Sequence, residues 1–151
     1  MVQRSVLRPP AIRKGPHVPK IKILLADDNH AVLNYVSKLL RKGSYIVGTV
    51  DNGGDVLREY DRLKPDVIVL DISIGGPSGI DVACRLRDFG CHSKIIFLTV
   101  HEDSEFVNAA MGSGGSAYVV KSQLSNDLSS AIDAVLAGKL FVSQCLLYKH
   151  H

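Results

Sequence analysis

The chain has 151 residues, of which 46% are hydrophobic and 22% charged, and a net charge of +3. That length supports one ordinary domain core rather than two. The composition excludes a disordered chain, and no stretch reaches the roughly 18 consecutive apolar residues that a membrane span requires.

The first segment stands apart in charge. Residues 1–22 hold six of the 18 basic residues (Arg4, Arg8, Arg13, Lys14, Lys20 and Lys22) and no acid, which leaves 12 basic against 15 acidic, or −3, for the remainder. Pro9, Pro10, Pro16 and Pro19 fall in the same stretch, and proline removes backbone donors and blocks helix continuation. Residues 1–20 are therefore expected to form a basic, Pro-rich arm without regular structure. The arm lacks the apolar run of a secretory signal. Phosphate contacts to nucleic acid, a transit peptide and a plain solvated extension all remain open for it.

Beyond the arm, short apolar runs rich in β-branched residues alternate with stretches of helical period, the pattern of a parallel sheet with helices on both faces. Ile21 to Ala26 reads as the first strand. His30 to Lys42 reads as a helix, with Val32, Val36, Leu39 and Leu40 on one stripe and Gly43 at its end. Tyr45 to Val50 is the second strand, and Asp55 to Leu63 the second helix, stopped before Pro65. Asp66 to Leu70 is the third strand, uninterruptedly apolar after its first residue, as a central strand covered on both faces should be.

Ile80 to Phe89 follows as a helix, Lys94 to Leu98 as a strand and Ser104 to Met111 as a helix. Ala117 to Val120 makes the fifth strand. The last helix runs from about Asn126 to Ala137, with Gly138 just beyond it. No residues are left for an output domain after about Ser143, and residues 144–151, ending in His150 and His151, read as a C-terminal tail, the remnant of a linker or tag. Cys84, Cys91 and Cys145 are odd in number and contain no C-x-x-C pair, so neither a disulfide framework nor a zinc site is expected and a reducing cytoplasm fits.

In open parallel sheets, chemistry gathers at the carboxyl ends of the strands. Here those ends carry Asp27 and Asp28, Asp71, Thr99 and Lys121. Singly, each has an ordinary explanation as a helix cap, a strand residue or a solvated charge. Jointly they do not. Carboxylates ~4 Å apart at an effective dielectric of ~20 repel by about 4 kcal/mol per pair, which a fold gains nothing from keeping. A divalent cation with oxygen ligands, Mg²⁺ above all, reverses the sign, and Lys121 and the Thr99 hydroxyl suit the oxygens of a phosphate.

This order of residues is similar to that of two-component response-regulator receiver domains, and the resemblance covers residues 21–143. The wording "KILLADDNHAVLNYV", "KPDVIVLDISIGGPSGIDVACRLR", "IIFLTVHEDSEFVNAAMGSGGSAYVVKS" and "DLSSAIDAVLAGKLFVS" resembles receivers of the NarL/FixJ type, which usually precede a helix-turn-helix output. The fold this implies is a flavodoxin-like, doubly wound, five-stranded parallel sheet of strand order 2-1-3-4-5 with helices on both faces.

By the same resemblance, Asp71 is the phosphoacceptor, Asp27 and Asp28 are the metal acids, and Ser73 gives a backbone carbonyl to Mg²⁺ or Mn²⁺. Thr99 and Lys121 grip the phosphoryl oxygens, and Tyr118 is the aromatic that turns inward on activation. The readout face is that of helix four, strand five and helix five. The implied donor is a sensor histidine kinase or phosphotransfer protein, or a small phosphodonor. The resemblance also admits a phosphorylation-dependent homodimer, with DNA reached only through an output domain outside this chain.

Three positions depart from the family's usual pattern. Ser122 follows Lys121 where many receivers have proline, so no cis peptide is implied there. Ile74-Gly75-Gly76-Pro77 stands where Met-Pro-Gly is common, and the extra glycine predicts a looser loop behind Asp71. Val100 is bulkier than the usual alanine or glycine, which predicts narrowed access, while Ser73 and His101 occupy positions that tune hydrolysis in the family.

A stand-alone relay protein shares all of the chemistry, differs only in output and stays open as the alternative. Other rival readings fare worse. A phosphohydrolase with an aspartyl nucleophile of the haloacid dehalogenase group wants a second Asp two residues beyond the first, and Ser73 is there. A nucleotide or flavin module wants a glycine-rich loop after a strand, whereas Gly112, Gly114 and Gly115 follow a helix and Gly75-Gly76 lacks the lysine of a phosphate loop. A metal site on adjacent His101, Glu102 and Asp103 is disfavoured, since neighbours seldom point at one ion.

Overall fold

The computed structural model describes residues 20–40 and 44–149. The basic arm, except its last residue, lies outside the described residues, as do the Lys42–Gly43 end expected for the first helix and the two final histidines. Six strands form one parallel sheet: β1 (Ile21–Ala26), β2 (Ser44–Val50), β3 (Val67–Asp71), β4 (Lys94–Thr99), β5 (Ala117–Val120) and β6 (Phe141–Val142). Their order is β2-β1-β3-β4-β5-β6. The helices are α1 (His30–Leu39), α2 (Val56–Leu63), α3 (Gly79–Asp88), α4 (Ser104–Gly112), α5 (Leu124–Leu136) and α6 (Gln144–Lys149), with 3₁₀ turns at Gly53–Asp55 and Lys121–Gln123.

The expected order 2-1-3-4-5 is present, with one correction. The sheet has a sixth strand beside β5, and a short helix follows it, so packing continues past Ser143 into the segment expected to be a tail. Leu146 of α6 is buried, and Ser143 is fully enclosed. β5 is therefore not an edge strand, and the face expected for readout is covered along that edge.

Alternation along the strands builds two cores, one on each side of the sheet. Tyr118 and Val120 of β5 join Leu24, Ile68, Leu70 and Phe97 on the side of α2, α3 and α4. Ala117 and Val119 join Ile23, Leu25, Val67 and Val69 on the side of α1 and α5. All five residues of β3 are buried, as its apolar run predicts for a strand with covered faces and neighbours on both sides. This double burial fixes β3 at the centre and fixes the direction in which Asp71 emerges.

Helix starts follow local chemistry. Asn29 caps α1 by accepting from Ala31 N and Val32 N, a device worth about 1 kcal/mol. Ser78 caps α3 through Asp81 N. Asn52 caps the 3₁₀ turn before α2, because its side chain accepts from Asp55 N.

Candidate functional site

The crossovers from β1, β3, β4 and β5 bring Asp27, Asp28, Asp71, Thr99 and Lys121 to one end of the sheet. One carboxylate oxygen each from Asp27, Asp28 and Asp71 lies within 4.8 Å of the other two. Asp27 is wholly buried and Asp71 nearly so, whereas Asp28 faces solvent. Lys121 Nζ stands 2.9 Å from Asp27 Oδ2 and 3.6 Å from Asp71 Oδ1. One ammonium thus faces three carboxylates, which leaves the cluster short of positive charge.

Backbone donors hold the carboxylates in place. Asn29 N–H donates to Asp27 Oδ1 at 2.8 Å, and Ser73 N–H donates to Asp71 Oδ1 at 3.1 Å. Asp27 Oδ2 is buried and accepts no hydrogen bond, since Lys121 meets it as an ion pair without hydrogen-bond alignment. Its close partner is that one ammonium, which the Asp71 carboxylate shares. Burial first, and the charge of Asp27 second, push the Asp71 carboxyl above its ordinary value, against the opposing pull of Lys121 and the Ser73 amide.

These residues fit a hard divalent cation. Oxygens 2.0–2.1 Å from a shared Mg²⁺ stand about 3–4 Å apart, so the three carboxylates need only small side-chain movements to close on one ion. The donor set is all oxygen, as Mg²⁺ or Mn²⁺ prefers.

The loop behind Asp71 differs from expectation. The extra glycine does not leave it unanchored: Ile72 and Ile74 are buried beneath it, and Gly75 O accepts from Gly53 N–H at 2.7 Å. Gly53 is confined in turn, since a Cβ there would run into the Pro77 carbonyl and come within 3.0 Å of Val82 Cγ2. Gly79 is a second close approach, where a Cβ would strike the Asp71 carbonyl. The role of Gly53 went unread in the sequence. Its signal is the Asn-Gly-Gly-Asp turn at residues 52–55, which looks like an ordinary connection until the β3–α3 loop is laid against it.

The β4–α4 loop makes the other wall. Thr99 is buried, and its Oγ1 accepts from His101 N–H at 3.0 Å. The His101 ring stacks on Phe106 with centroids 4.0 Å apart, and its Nε2 lies 3.1 Å from Ser73 Oγ. The two positions tied by resemblance to phosphate lifetime therefore touch across the mouth. Val100 is 66% exposed and stands on the rim. Asp103 occupies the cap position of α4 without a side-chain cap bond.

Tyr118 is already turned inward. Its ring is fully buried, and its hydroxyl donates to His101 O at 2.8 Å. Burial pushes its ionisation up to about 12, with the Thr99 hydroxyl pulling the other way. The inward rotamer is the one the resemblance assigned to the activated conformer. Cys84, Cys91 and Cys145 are free and half-buried. Among the described residues no helix is long and apolar enough to cross a membrane.

Comparisons with known proteins converge on one family. The family model described as response regulator receiver domain matches residues 23–133. The response regulator GacA of Pseudomonas aeruginosa is 30% identical over 125 residues, covering 82% of this chain and 58% of that protein. BvgA of Bordetella pertussis, named as a transcription regulator of virulence factors, is 33% identical over 119 residues, covering 78% of this chain and 56% of that protein. The chain thus spans less than two thirds of the length of either relative.

Among solved structures, a two-component response regulator of the LuxR family from Aurantimonas sp. superposes with a TM-score of 0.81 at 31% identity, covering 86% of this chain and 94% of that one. The isolated receiver domain of RcsB from Salmonella enterica, solved with a phosphomimetic, gives 0.79 at 22% identity over 86% of this chain and 98% of that one, a likeness of fold.

Proposed function

The chain belongs to the response regulator receiver domain family and groups with receivers of the NarL/FixJ type, and from that premise we propose that it accepts a phosphoryl group on Asp71. A receiver is a signalling domain that works as a phosphorylation-dependent switch, not an enzyme with external turnover. The observation that carries the assignment to Asp71 is the crowding of two further carboxylates against it with one ammonium in reach. A fold keeps such repulsion where a cation and an anion will relieve it.

In the reaction, an Asp71 carboxylate oxygen attacks phosphorus in line with the leaving group. The O–P bond of an acyl phosphate forms while the donor's P–N bond breaks, and the donor imidazole leaves as the neutral base after taking a proton. The Ser73 amide keeps the Asp71 carboxylate aimed. Lys121 and Thr99 meet the phosphoryl oxygens. Asp27, Asp28, Asp71 and the Ser73 carbonyl would hold Mg²⁺ or Mn²⁺, which when bound offsets charge on the transferring group. Thr99 then moves toward the phosphoryl group, and the inward Tyr118 is favoured; a few kcal/mol of differential interaction suffices.

Residues 21–143 carry this chemistry. The donor is a sensor histidine kinase or phosphotransfer protein in the cytoplasm, and the switched surface controls transcription through an output domain in a longer protein, with homodimerisation on phosphorylation. The relatives' names as response and transcription regulators support that output. Intact mass after incubation with acetyl phosphate and Mg²⁺ tests the acceptor. One phosphoryl adduct is expected in the wild type, lost on chelation and in Asp71→Asn. An adduct that persists in the variant, or none in either protein, defeats the assignment.

A further inference from the structure

Without β6, strand β5 would be the edge of the sheet, with a row of unpaired backbone groups. The segment after α5 fills that edge. Phe141 N–H donates to Ser116 O at 3.1 Å and Ser143 N–H to Tyr118 O at 2.9 Å. Ser143 also reaches across with its side chain, whose Oγ accepts from Val120 N–H at 3.0 Å in a fully buried bond. Val142 is the register partner of Tyr118. Val142, Cys145 and Leu146 pack into the core cluster that holds the Tyr118 ring, Phe97 and Ala110.

Ring and segment therefore share one packing unit. Because Val142 and Leu146 belong to the cluster that encloses the Tyr118 ring, turning the ring outward would loosen the packing they share. We propose that β6–α6 is a clasp that holds Tyr118 inward, so that docking of this segment and occupation of the Asp71 site favour each other. The clasp rests on the reading of Asp71 as phosphoacceptor. Linkage makes the coupling reciprocal: what binds the site lowers the population of the open clasp, and what opens the clasp weakens binding at the site.

The full chain carrying Cys84→Ser and Cys91→Ser keeps Cys145 as its single thiol, a reporter placed inside the clasp. Its rate of labelling by a disulfide reagent is measured in Mg²⁺ with and without beryllium fluoride, whose binding is read separately by fluorine resonance. Labelling is expected to slow by about fivefold or more when the fluoride binds. In the other direction, Leu146→Ala and Ser143→Ala are each expected to raise the fluoride dissociation constant by a similar factor. Leu140→Ala, at a side chain 73% exposed just before β6, should leave it unchanged. Bound fluoride with unchanged labelling and unchanged affinity in both clasp variants overturns the clasp and leaves the phosphoacceptor standing. An equal loss in Leu140→Ala overturns it too. Failure of the fluoride to bind the wild type removes both readings.

Discussion

The two ends of the sheet are built from the same strands and treat polar groups in opposite ways. At the amino ends, Asp66 Oδ2 accepts from Lys22 N–H at 2.8 Å, Asp66 N–H donates to Lys22 O, and Lys94 N–H donates to Asp66 O. His92 N–H finds the Tyr60 hydroxyl, and Ser93 Oγ finds Pro65 O. Each of these groups is satisfied locally, and Asp66 faces water. At the carboxyl ends, three carboxylates converge, Asp27 Oδ2 is buried without a hydrogen bond, and a single ammonium stands between them. The first end closes the fold. The second withholds satisfaction that a cation and a phosphoryl group can supply, so substitutions at the two ends should separate chemistry from stability.

The largest effect is expected at Lys121. Lys121→Met removes the cation nearest the transferring oxygens, and adduct formation from acetyl phosphate should slow by about 10²–10³, the scale of losing one preorganised charge-stabilising donor. Time-resolved intact mass measures it, and a rate within threefold of wild type, a margin of about 0.65 kcal/mol in the barrier, would remove Lys121 from the mechanism. Gly53→Ala comes next. It drives a methyl group into the Pro77 carbonyl and should cost about 1–3 kcal/mol of stability by overpacking, while slowing phosphorylation through the displaced loop. Denaturant midpoints and adduct kinetics should move together there.

Much of this contrast was legible in the chain. Asp27, Asp28, Asp71, Thr99 and Lys121 could be placed because each ends an apolar run, and the parallel wrap sends all such ends to one side. The strand order followed from resemblance, and the β3 run marked the centre. What escaped had weak local signal. β6 is two residues long, too short for a period, and part of what holds it is the Ser143 hydroxyl accepting from Val120 N–H, a contact with no trace in the pattern. The Gly53–Gly75 bond joins two loops distant in sequence, so the extra glycine read as slack when it is fastened. Helix and strand ends moved by a residue or two: β3 begins at Val67 rather than Asp66, since Asp66 serves the turn, and α5 begins at Leu124 rather than Asn126, continuing from the 3₁₀ turn after Lys121.

The electrostatic half of the comparison predicts a smaller effect of unusual sign. Burial and Asp27 raise the Asp71 carboxyl in the folded state, so the fold holds that proton more tightly than the unfolded chain does. The favourable contribution is whole below the unfolded value, about 3.9, and is lost as pH rises through the raised folded value. At neutral pH the ionised carboxylate weighs against folding. Asp71→Asn, which abolishes the chemistry, should therefore stabilise the metal-free protein by roughly 0.5–2 kcal/mol at pH 7. The gain should shrink as pH falls toward 4, and Mg²⁺ should narrow it by stabilising the wild type through binding. Urea melts at two pH values with and without Mg²⁺ check all three statements. A variant less stable than wild type at pH 7 without metal would show that the cluster holds no repulsion.

The smallest effect belongs to the satisfied end. Asp66→Ala removes the acceptor for Lys22 N–H, but at an exposed position where water replaces it, so the expected loss is about 1 kcal/mol or less. It should be independent of Mg²⁺, because no ligand of the carboxylate cluster lies at that end of the strands, and the rate of adduct formation should stay within experimental error of wild type. The pairing with Asp71→Asn is the sharp form of the comparison: two aspartates bracketing the same strand, one whose removal weakens the fold and spares the chemistry, one whose removal strengthens the fold and ends it. If Asp66→Ala also slowed phosphorylation, β3 would be transmitting strain along its length, and the two ends could no longer be treated as separate.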